Sequence, residues 1–325
     1  NDLYRITNPK KLICFEDQKF TEIKSLGSLR IVALGGSSVQ FLGLGEHFDI
    51  LERDLLEEFK GKYKRVEIIN AGGASYGTGR LVLVLKEMLQ YDPDMVLLYA
   101  GHNEFEELAQ LKLVKVGYVR FMDFMSNFAI YRFFRDRLTD VWISILENEH
   151  NKRLLSMYDP VIQPAWHHNF TEEEDLDRME AYENNLSLII NICQKNGISL
   201  VIGTVSSNLV MPFLPEKERK EYYVVYGLIK KKEYKEALKT AREILKATPG
   251  RHQSSDLENE IIRKLSKKHN ILLADVEQKI MDNEPHGIPG EKLFADHCHL
   301  NKKGNVLLIE TYKDSIIEIV EDEQR

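Results

Sequence analysis

The chain has 325 residues, of which 43% are hydrophobic and 29% are charged, and its formal net charge is −7. This length and hydrophobic content allow a large buried core and exclude an intrinsically disordered protein. The negative charge argues against general nucleic-acid binding, which requires a basic surface. No segment of the sequence approaches the roughly 20 apolar residues that a membrane-spanning helix needs.

Five short apolar runs predict buried β-strands, because each is rich in β-branched or leucine residues and is bounded by turn residues. Their hydrophobicity is continuous rather than alternating, which is typical of parallel strands that are covered on both faces. The predicted strands span residues 30–36, 66–72, 95–101, 199–205 and 271–276.

Helical patterns lie between these strands. The predicted helices span residues 48–59, 77–89, 172–195, 255–269 and 302–320. The alternation of strand and helix predicts a single α/β domain over residues 1–325. We expect a five-stranded parallel sheet between two helical layers, in a doubly wound, flavodoxin-like arrangement.

Two insertions interrupt this alternation, and the first spans about residues 104–170. It is rich in aromatic residues at spacings of three and four, which predicts amphipathic helices. The rings either form the core of helices packed on the domain or line a lid or acyl-chain groove over an active site. Both interpretations stay open at the level of the sequence.

The second insertion spans about residues 210–250 and predicts a helical hairpin. Tyr234, Ala237 and Pro249 are spaced as in the tetratricopeptide pattern. Because one such unit cannot bury its apolar face alone, we expect it to pack on the rest of the domain. Binding of a protein partner by this hairpin is an alternative role.

Two candidate catalytic side chains follow predicted strands, where reactive groups gather at the carboxyl ends of a parallel sheet. Gly35 and Gly36 lead from the first strand into Ser37, and a tight turn there would expose Ser37 at the strand tip. The G-x-S-x-G elbow of α/β-hydrolases is absent. Asn103 follows the third strand, and its side-chain amide can donate a hydrogen bond to a developing oxyanion.

Two further segments complete the pattern. The second strand runs into the glycine-rich segment 70–77 (NAGGASYG), which can present backbone N–H groups to an anion. Near the C-terminus, Asp296 precedes His299 by three residues on a short loop. This spacing allows the carboxylate to orient the imidazole, which then acts as a base toward a serine.

These four segments together resemble the SGNH (GDSL-like) hydrolase family in order and spacing, over about residues 29–320 with the two insertions excepted. The resemblance implies a serine esterase with Ser37 as nucleophile, His299 as base and Asp296 as the orienting carboxylate. It also implies an oxyanion hole built from the Ser37 N–H, the Asn103 amide and the N–H of Ser75. No cofactor and no metal are implied.

Two positions depart from the family pattern. Gly36 stands where the family usually has an aspartate before the nucleophile. Ser75 stands where an oxyanion glycine is expected. Since only a backbone N–H is required from that residue, Ser75 can serve if its φ and ψ angles are allowed. Gly72 and Gly73 are alternatives for the role.

The same residues admit other pairings. His297 and His299 form an H-x-H pair beside Asp296 and Cys298, which would suit zinc, although no other ligand cluster accompanies them. Ser38 with His297 is an alternative nucleophile and base.

Other histidines and the cysteines have simpler interpretations. The cysteines are widely spaced and predict buried free thiols: Cys14, Cys193 and Cys298. Three histidines are interpreted as solvated or capping residues: His102, His167 and His168.

Three classes of function fit the pattern. The first is a hydrolase of carboxylic esters, such as O-acetyl groups on glycans or acyl esters of lipids. The second is an O-acyltransferase that acts on an envelope polysaccharide with the same triad, and the third is a non-catalytic binding or assembly protein that uses the hairpin. The joint presence of Ser37, Asn103 and the Asp296–His299 pair disfavours the third class.

Localisation rests on the resemblance. The chain starts at Asn1 without a methionine or a signal-like segment, and we interpret it as a trimmed or processed chain. Chains that resemble this one tend to be bacterial and often follow an N-terminal membrane anchor or signal. The resemblance therefore implies an extracytoplasmic location near a membrane.

Overall fold

The computed structural model describes residues 3–12, 14–111, 170–290 and 292–322. An antiparallel pair of short strands, β1 (Tyr4–Ile6) and β2 (Lys19–Thr21), precedes the main sheet. The main sheet contains β3 (Ser28–Gly35), β4 (Arg65–Gly72), β5 (Met95–Tyr99), β6 (Ser199–Gly203) and β7 (Leu272–Ala274). Its strands are all parallel and lie in the order β4–β3–β5–β6–β7.

The five predicted strands are therefore confirmed, and their order is the flavodoxin-like one. All eight residues of β3 are buried, as continuous hydrophobicity indicates for a central strand. The last strand is shorter than the predicted range 271–276. It ends before Asp275 because the Asp275 side chain accepts a hydrogen bond from the Gln278 N–H and caps the helix that follows.

Helices alternate with the strands along most of the chain. Those of the first half are α1 (Ser37–Leu44), α2 (His47–Glu58), α3 (Thr78–Met88) and α4 (Glu104–Leu111). The second half contains α5 (Glu172–Lys195), α6 (Glu216–Glu221), α7 (Tyr223–Lys230), α8 (Tyr234–Ala247), α9 (Asp256–His269), α10 (Val276–Asn283) and α11 (Lys302–Asp322).

The helices form two layers around the sheet. On one face α1 and α2 pack on β4, and α11 packs on α2 and on β6 and β7. On the other face α3 contacts β3 and α5, and α9 contacts α5 and β6. The predicted three-layer α/β/α architecture is thus confirmed, and the apolar core lies between the sheet and these layers.

The second insertion contains the helices α7 and α8, joined by a short turn. Their apolar side chains form a separate cluster around Val225, Ala237 and Ala241. Arg242 of α8 forms ion pairs with Asp256 of α9 and with Glu277 of α10, so the helices are tied to the rest of the protein by charge as well.

The first insertion begins with α4, but residues 112–169 lie outside the described part of the chain. The prediction of an aromatic lid falls there. Among the described helices, none is both long and apolar enough to cross a membrane.

Candidate active site

Ser37 is the first residue of α1 and follows directly on the central strand β3. Gly36 adopts an extended conformation as the helix cap, with φ −83° and ψ −154°. The N–H of a residue at this position has no acceptor within its own helix. Ser37 therefore presents both its hydroxyl and its backbone N–H at the tip of the sheet, at the positive end of the helix dipole.

Three of the predicted residues meet in a hydrogen-bonded row. Ser37 Oγ lies 2.7 Å from His299 Nε2, and His299 Nδ1 lies 2.6 Å from Asp296 Oδ2. Because an ionised carboxylate only accepts, Nδ1 carries the imidazole proton and Nε2 is left to accept from the serine. This is the arrangement in which a serine hydroxyl can lose its proton to an imidazole.

The carboxylate of Asp296 is fixed by its own loop. Its Oδ1 atom accepts hydrogen bonds from the backbone N–H groups of Cys298 and His299, at 2.8 and 2.7 Å. Burial alone would raise the pKa of Asp296, but the hydrogen bond and charge of His299 and these backbone donors outweigh it and lower the pKa well below its usual range. Asp296 thus stays ionised beside the imidazole.

The loop that carries Asp296 and His299 is held by Asn208, in the segment that follows β6. Asn208 donates from its backbone N–H to the carbonyl of His297 at 3.0 Å and from its side chain to the carbonyl of Asp296 at 2.9 Å. Asn208 is itself buried. The backbone on both sides of the loop's turn, at Asp296 and at His297, is therefore fixed by one buried residue.

Asn103 lies at the end of β5, next to the nucleophile. Its side-chain Nδ2 donates to the Tyr76 carbonyl at 3.2 Å, which fixes the orientation of the amide and leaves its second N–H available. A methyl group built at Gly36 would lie 2.4 Å from the same nitrogen. The amide is thus in direct contact with the backbone that precedes Ser37.

Ser75 is buried and adopts a left-handed conformation, with φ +60°. Its backbone N–H makes no hydrogen bond to any residue in the described part of the chain. The two alternatives are engaged elsewhere, since the N–H of Gly72 donates to Asn70 Oδ1 and that of Gly73 to the Gly35 carbonyl. Of the three candidates, Ser75 has the available donor.

The sequence interpretation missed a buried row of side chains beside the triad. His252 Nε2 lies 3.0 Å from Glu106 Oε2, and His252 Nδ1 lies 2.8 Å from His297 Nε2. Glu106 follows Asn103 by three residues, a spacing that places both near one turn of α4 and could have drawn attention to it. No local signal marks His252, which meets Glu106 only through the fold.

The alternative pair of Ser38 with His297 is not formed, because Nε2 of His297 is used by His252. His297 is largely buried, and burial, followed by the nearby His252, lowers its pKa to about 4. At neutral pH its imidazole is uncharged.

His102 is buried, and the prediction of a solvated histidine is wrong for this residue. Its Nδ1 accepts a hydrogen bond from the Ser254 N–H, while its Nε2 has no partner among the described residues. Burial and then the nearby His299 lower the pKa of His102 well below its ordinary value. His167 and His168 lie outside the described residues.

The residues considered for zinc binding lie close together in the structure. Asp296, His297 and Cys298 each place one ligand atom within 4.8 Å of the others. Thiolate is the form that binds zinc, and burial next to Asp296 raises the pKa of the Cys298 thiol well above its usual value. Asp296 is already engaged with His299, so the group is better suited to orienting the imidazole than to holding a metal. All three cysteines are buried free thiols, as predicted.

Aromatic rings border the triad. The ring of Phe41 lies 4.9 Å from that of His299, and the ring of Phe213 lies 5.2 Å from that of His297. Both phenylalanines are partly exposed. Phe41 thus provides apolar surface at the proposed base, and Phe213 provides it at the neighbouring His297.

Comparison with known proteins identifies the fold. An acetyl xylan esterase matches the chain with 17% identity and a TM-score of 0.50, and the match covers 89% of this chain and 100% of the esterase. An acetylxylan esterase from Geobacillus stearothermophilus is 12% identical, with a TM-score of 0.48 over 90% of this chain and 96% of its own. A GDSL-like lipase from Bacteroides thetaiotaomicron is 11% identical, with a TM-score of 0.46 over 90% and 88%.

No protein-family model and no curated protein matches the sequence significantly. At 17% identity and a TM-score of 0.50, the likeness to the acetyl xylan esterase shows that the two proteins share a fold. The expected five-stranded parallel sheet flanked by helices is confirmed.

Proposed function

We propose that this protein is a serine hydrolase that cleaves carboxylic esters through an acyl-enzyme. The observation that carries the proposal is the continuous row from Ser37 Oγ to His299 Nε2 and from His299 Nδ1 to Asp296 Oδ2, at 2.7 and 2.6 Å. These three residues come from the first and last parts of the fold and have the tautomers and spacing that general-base catalysis requires.

In the acylation step, His299 takes the Ser37 proton as the serine oxygen attacks the ester carbonyl. The resulting imidazolium is stabilised by the ionised Asp296. His299 then gives the proton to the departing alkoxide, which leaves as an alcohol. In deacylation a water molecule attacks the acyl group with the same proton transfers in the same order.

The oxyanion of each tetrahedral intermediate would be stabilised by three donors: the Ser37 N–H, the Ser75 N–H and the Asn103 amide. The first is unpaired within its helix and the second has no acceptor among the described residues. The third is held by Tyr76 with one N–H to spare. Each such donor can contribute about 3 kcal/mol of transition-state stabilisation.

O-acetylated glycans and small acyl esters are the proposed substrates. An acetyl xylan esterase shares the fold at a TM-score of 0.50. The partly exposed Phe41 supplies apolar surface beside His299, which suits the acyl group or the face of a sugar ring.

The test uses a fluorophosphonate probe, which labels an activated serine and adds a fixed mass to the protein. The wild type, Ser37→Ala and Ser38→Ala are compared by intact mass, and hydrolysis of p-nitrophenyl acetate is measured in parallel. Ser38 is the matched control, since it is the neighbouring serine and the nucleophile of the alternative pairing.

We expect one adduct on the wild type and on Ser38→Ala, and none on Ser37→Ala. Ester hydrolysis should fall to background only in Ser37→Ala. A wild type that folds but is neither labelled nor active would refute the proposal, as would a Ser37→Ala variant that keeps its activity.

Acyl transfer to a sugar hydroxyl uses the same triad, with an alcohol in place of the deacylating water. The two reactions are separated by mass analysis of the products in the presence of a polysaccharide acceptor. Free acid identifies hydrolysis, and acyl groups on the acceptor identify transfer.

A further inference from the structure

The starts of α3 and α4 adjoin the segments that supply two of the proposed oxyanion donors. Ser75 lies three residues before α3, and Asn103 directly precedes α4. The cap position of α3 is Gly77, which has no side chain to accept hydrogen bonds from the first N–H groups of the helix. These N–H groups therefore need acceptors from another part of the protein.

Two buried glutamates of α4 are those acceptors. Glu104 accepts a hydrogen bond from the Thr78 N–H at 2.9 Å. Glu107 accepts from the N–H groups of Gly79 and Arg80, at 3.0 and 2.8 Å. The first turn of α3 is thus capped by side chains of α4, and the starts of the two helices are fixed to one another.

The side chain of Arg80 extends this connection to Ser75. Its Nε donates to Glu107 at 2.9 Å, and its Nη2 donates to the backbone carbonyl of Ser75. The guanidinium carbon also lies 4.3 Å from the centre of the Tyr76 ring, and the side chain is largely buried. Because a guanidinium group is planar and rigid, these contacts fix the Ser75 carbonyl relative to Glu107.

Ser75 has an unfavourable backbone conformation that this contact can stabilise. With φ +60°, it lies in the left-handed region that glycine enters freely and that residues with a Cβ disfavour. It is the third residue of a turn that is closed by a hydrogen bond from the Tyr76 N–H to the Gly73 carbonyl at 3.1 Å. Rotation of Ser75 out of this region would turn its N–H away and would break the bond from Arg80.

We propose that Arg80 is a positioning residue that holds Ser75 in its left-handed conformation and thereby aims the Ser75 N–H at the oxyanion. Glu107 anchors the Arg80 side chain to α4. The N–H of Glu107 donates to the Asn103 carbonyl at 2.9 Å, so the segments of both donors are fixed to the same residue. This role of Arg80 rests on the proposed hydrolase function.

The first test is Arg80→Met, which keeps an apolar side chain and removes both side-chain hydrogen bonds. We expect kcat for p-nitrophenyl acetate to fall by about 10–100-fold, because the oxyanion donor is displaced. KM should stay within about twofold, as expected for a contact that serves the transition state. Labelling of Ser37 by the fluorophosphonate should still reach completion, since Arg80 contacts neither the nucleophile nor the base.

A tetrahedral inhibitor measures the oxyanion hole separately from the general base. Phenylboronic acid adds to an activated serine as a tetrahedral anion, which requires the same donors as the reaction intermediate. Its inhibition constant should rise by at least about tenfold in Arg80→Met, in parallel with the fall in kcat. A loss of packing alone would lower the melting temperature of the protein without this selective effect on the tetrahedral ligand.

Arg80→Lys separates the charge from the geometry. Lysine can still pair with Glu107, but its ammonium group lacks the fork that joins Glu107 to the Ser75 carbonyl. We expect its melting temperature to lie nearer that of the wild type and its kcat to remain at least about tenfold low. The matched control is Arg65→Met, which removes a half-exposed, ion-paired arginine at the start of β4 and should keep kcat within about twofold.

A double-mutant cycle with Glu107→Gln tests the anchor. If Arg80 acts through Glu107, the kcat loss of the double variant should be at least about threefold smaller than the product of the two single losses. Melting temperatures are measured for all variants.

Three results would overturn the role of Arg80. They are a folded Arg80→Met that keeps its kcat, an unchanged inhibition constant for phenylboronic acid in that variant, and full kcat in Arg80→Lys. Independent losses in the cycle would remove Glu107 as the anchor. Each is distinct from failure of the hydrolase function, which labelling of Ser37 in the wild type decides.

Discussion

The Asn103 amide fills the space that a side chain at Gly36 would need: a methyl group on Gly36 would lie 2.4 Å from the Asn103 amide nitrogen. Atoms of this kind do not approach so closely, so a side chain at position 36 has to displace the amide. The residue before Ser37 and the proposed side-chain oxyanion donor are thus fitted to each other.

Gly36→Ala should therefore lower activity more than stability. The Asn103 side chain can turn away from the new methyl group, but it then leaves the oxyanion, and we expect kcat to fall by about 10²-fold. The melting temperature should change by only a few degrees, since the displaced group is the end of a side chain. Steady-state kinetics on p-nitrophenyl acetate and thermal unfolding measure the two effects.

Gly227→Ala is the matched control and a prediction of its own. A Cβ at Gly227 in α7 meets nothing within 4 Å, and its φ is not in the left-handed region. Alanine should raise the free energy of unfolding by about 0.5–1 kcal/mol and leave kcat unchanged. If Gly227→Ala were less stable than the wild type, the space around Gly227 would be too small for a methyl group, contrary to the structure.

Asn103→Ala tests the oxyanion donor directly. We expect kcat to fall by about 10²–10³-fold, because the amide is needed where negative charge develops in the transition state. KM should change little, since the ground-state carbonyl binds the donor only weakly. If the variant instead raised KM and kept kcat, Asn103 would be a substrate-binding residue and the oxyanion assignment would be wrong.

His297 makes the stability of the protein depend on pH. Burial and the neighbouring His252 lower its pKa from 6.5 to about 4. Between these two pH values, His297 is protonated in the unfolded chain and neutral in the folded protein. The corresponding stability is complete above about pH 6.5 and is lost as the pH falls toward 4. Between pH 7 and pH 5 this single group should cost the wild type about 2 kcal/mol.

The comparison is made by urea unfolding of the wild type and His297→Gln at pH 7 and pH 5. Between pH 7 and pH 5 the free energy of unfolding should fall by about 2 kcal/mol less in His297→Gln than in the wild type. Identical losses in the two proteins would mean that His297 takes up a proton in the folded state as easily as in the unfolded chain.

Much of the fold follows from patterns that are local in the sequence. Continuous apolar runs locate the buried strands, and Ser37 and Asn103 could be identified because each comes directly after such a run. The spacing of Asp296 and His299 likewise belongs to one short loop. These features need no knowledge of which strands are neighbours.

What could not be predicted depends on contacts between distant segments. The left-handed conformation of Ser75 is set by its surroundings, and nothing in the segment 70–77 distinguishes its N–H from those of Gly72 and Gly73. Glu106 and His252 are 146 residues apart and meet only in the folded protein. The length of β7 also depends on Asp275: the apolar pattern places this residue in the strand, whereas in the structure it caps the following helix.

Arg30 provides a stability prediction at the opposite end of the central strand. It is fully buried, pairs with Glu67 at 2.7 Å, and donates to the carbonyls of Tyr91 and Thr21 at 2.6 and 2.8 Å. Arg30→Met leaves the buried Glu67 carboxylate with only the half-exposed Arg65 as ion partner and removes the donor to both carbonyls, which should cost about 3 kcal/mol. Urea unfolding measures the cost.

The activity of folded Arg30→Met, normalised to the amount of labelled Ser37, should equal that of the wild type. Arg30 lies near the start of β3, whereas Ser37 follows the other end of this strand. Replacing both residues, in Arg30→Met with Glu67→Leu, should recover part of the lost stability. If the double variant were less stable than Arg30→Met, Glu67 would stabilise the fold through groups other than Arg30, and the account based on an unpaired buried charge would be wrong.

The proposed nucleophile and its base are 262 residues apart in the chain, and the sheet with its two flanking layers is what brings them within 2.7 Å. Neither half of the chain contains the whole proposed active site. The first half supplies Ser37 and Asn103, and the second half supplies Asp296 and His299. Ser37 can therefore become reactive only when the tertiary structure is complete. Under the proposed mechanism, an incompletely synthesised or partly unfolded chain lacks the base beside Ser37, so labelling of Ser37 by a fluorophosphonate should count the correctly folded molecules.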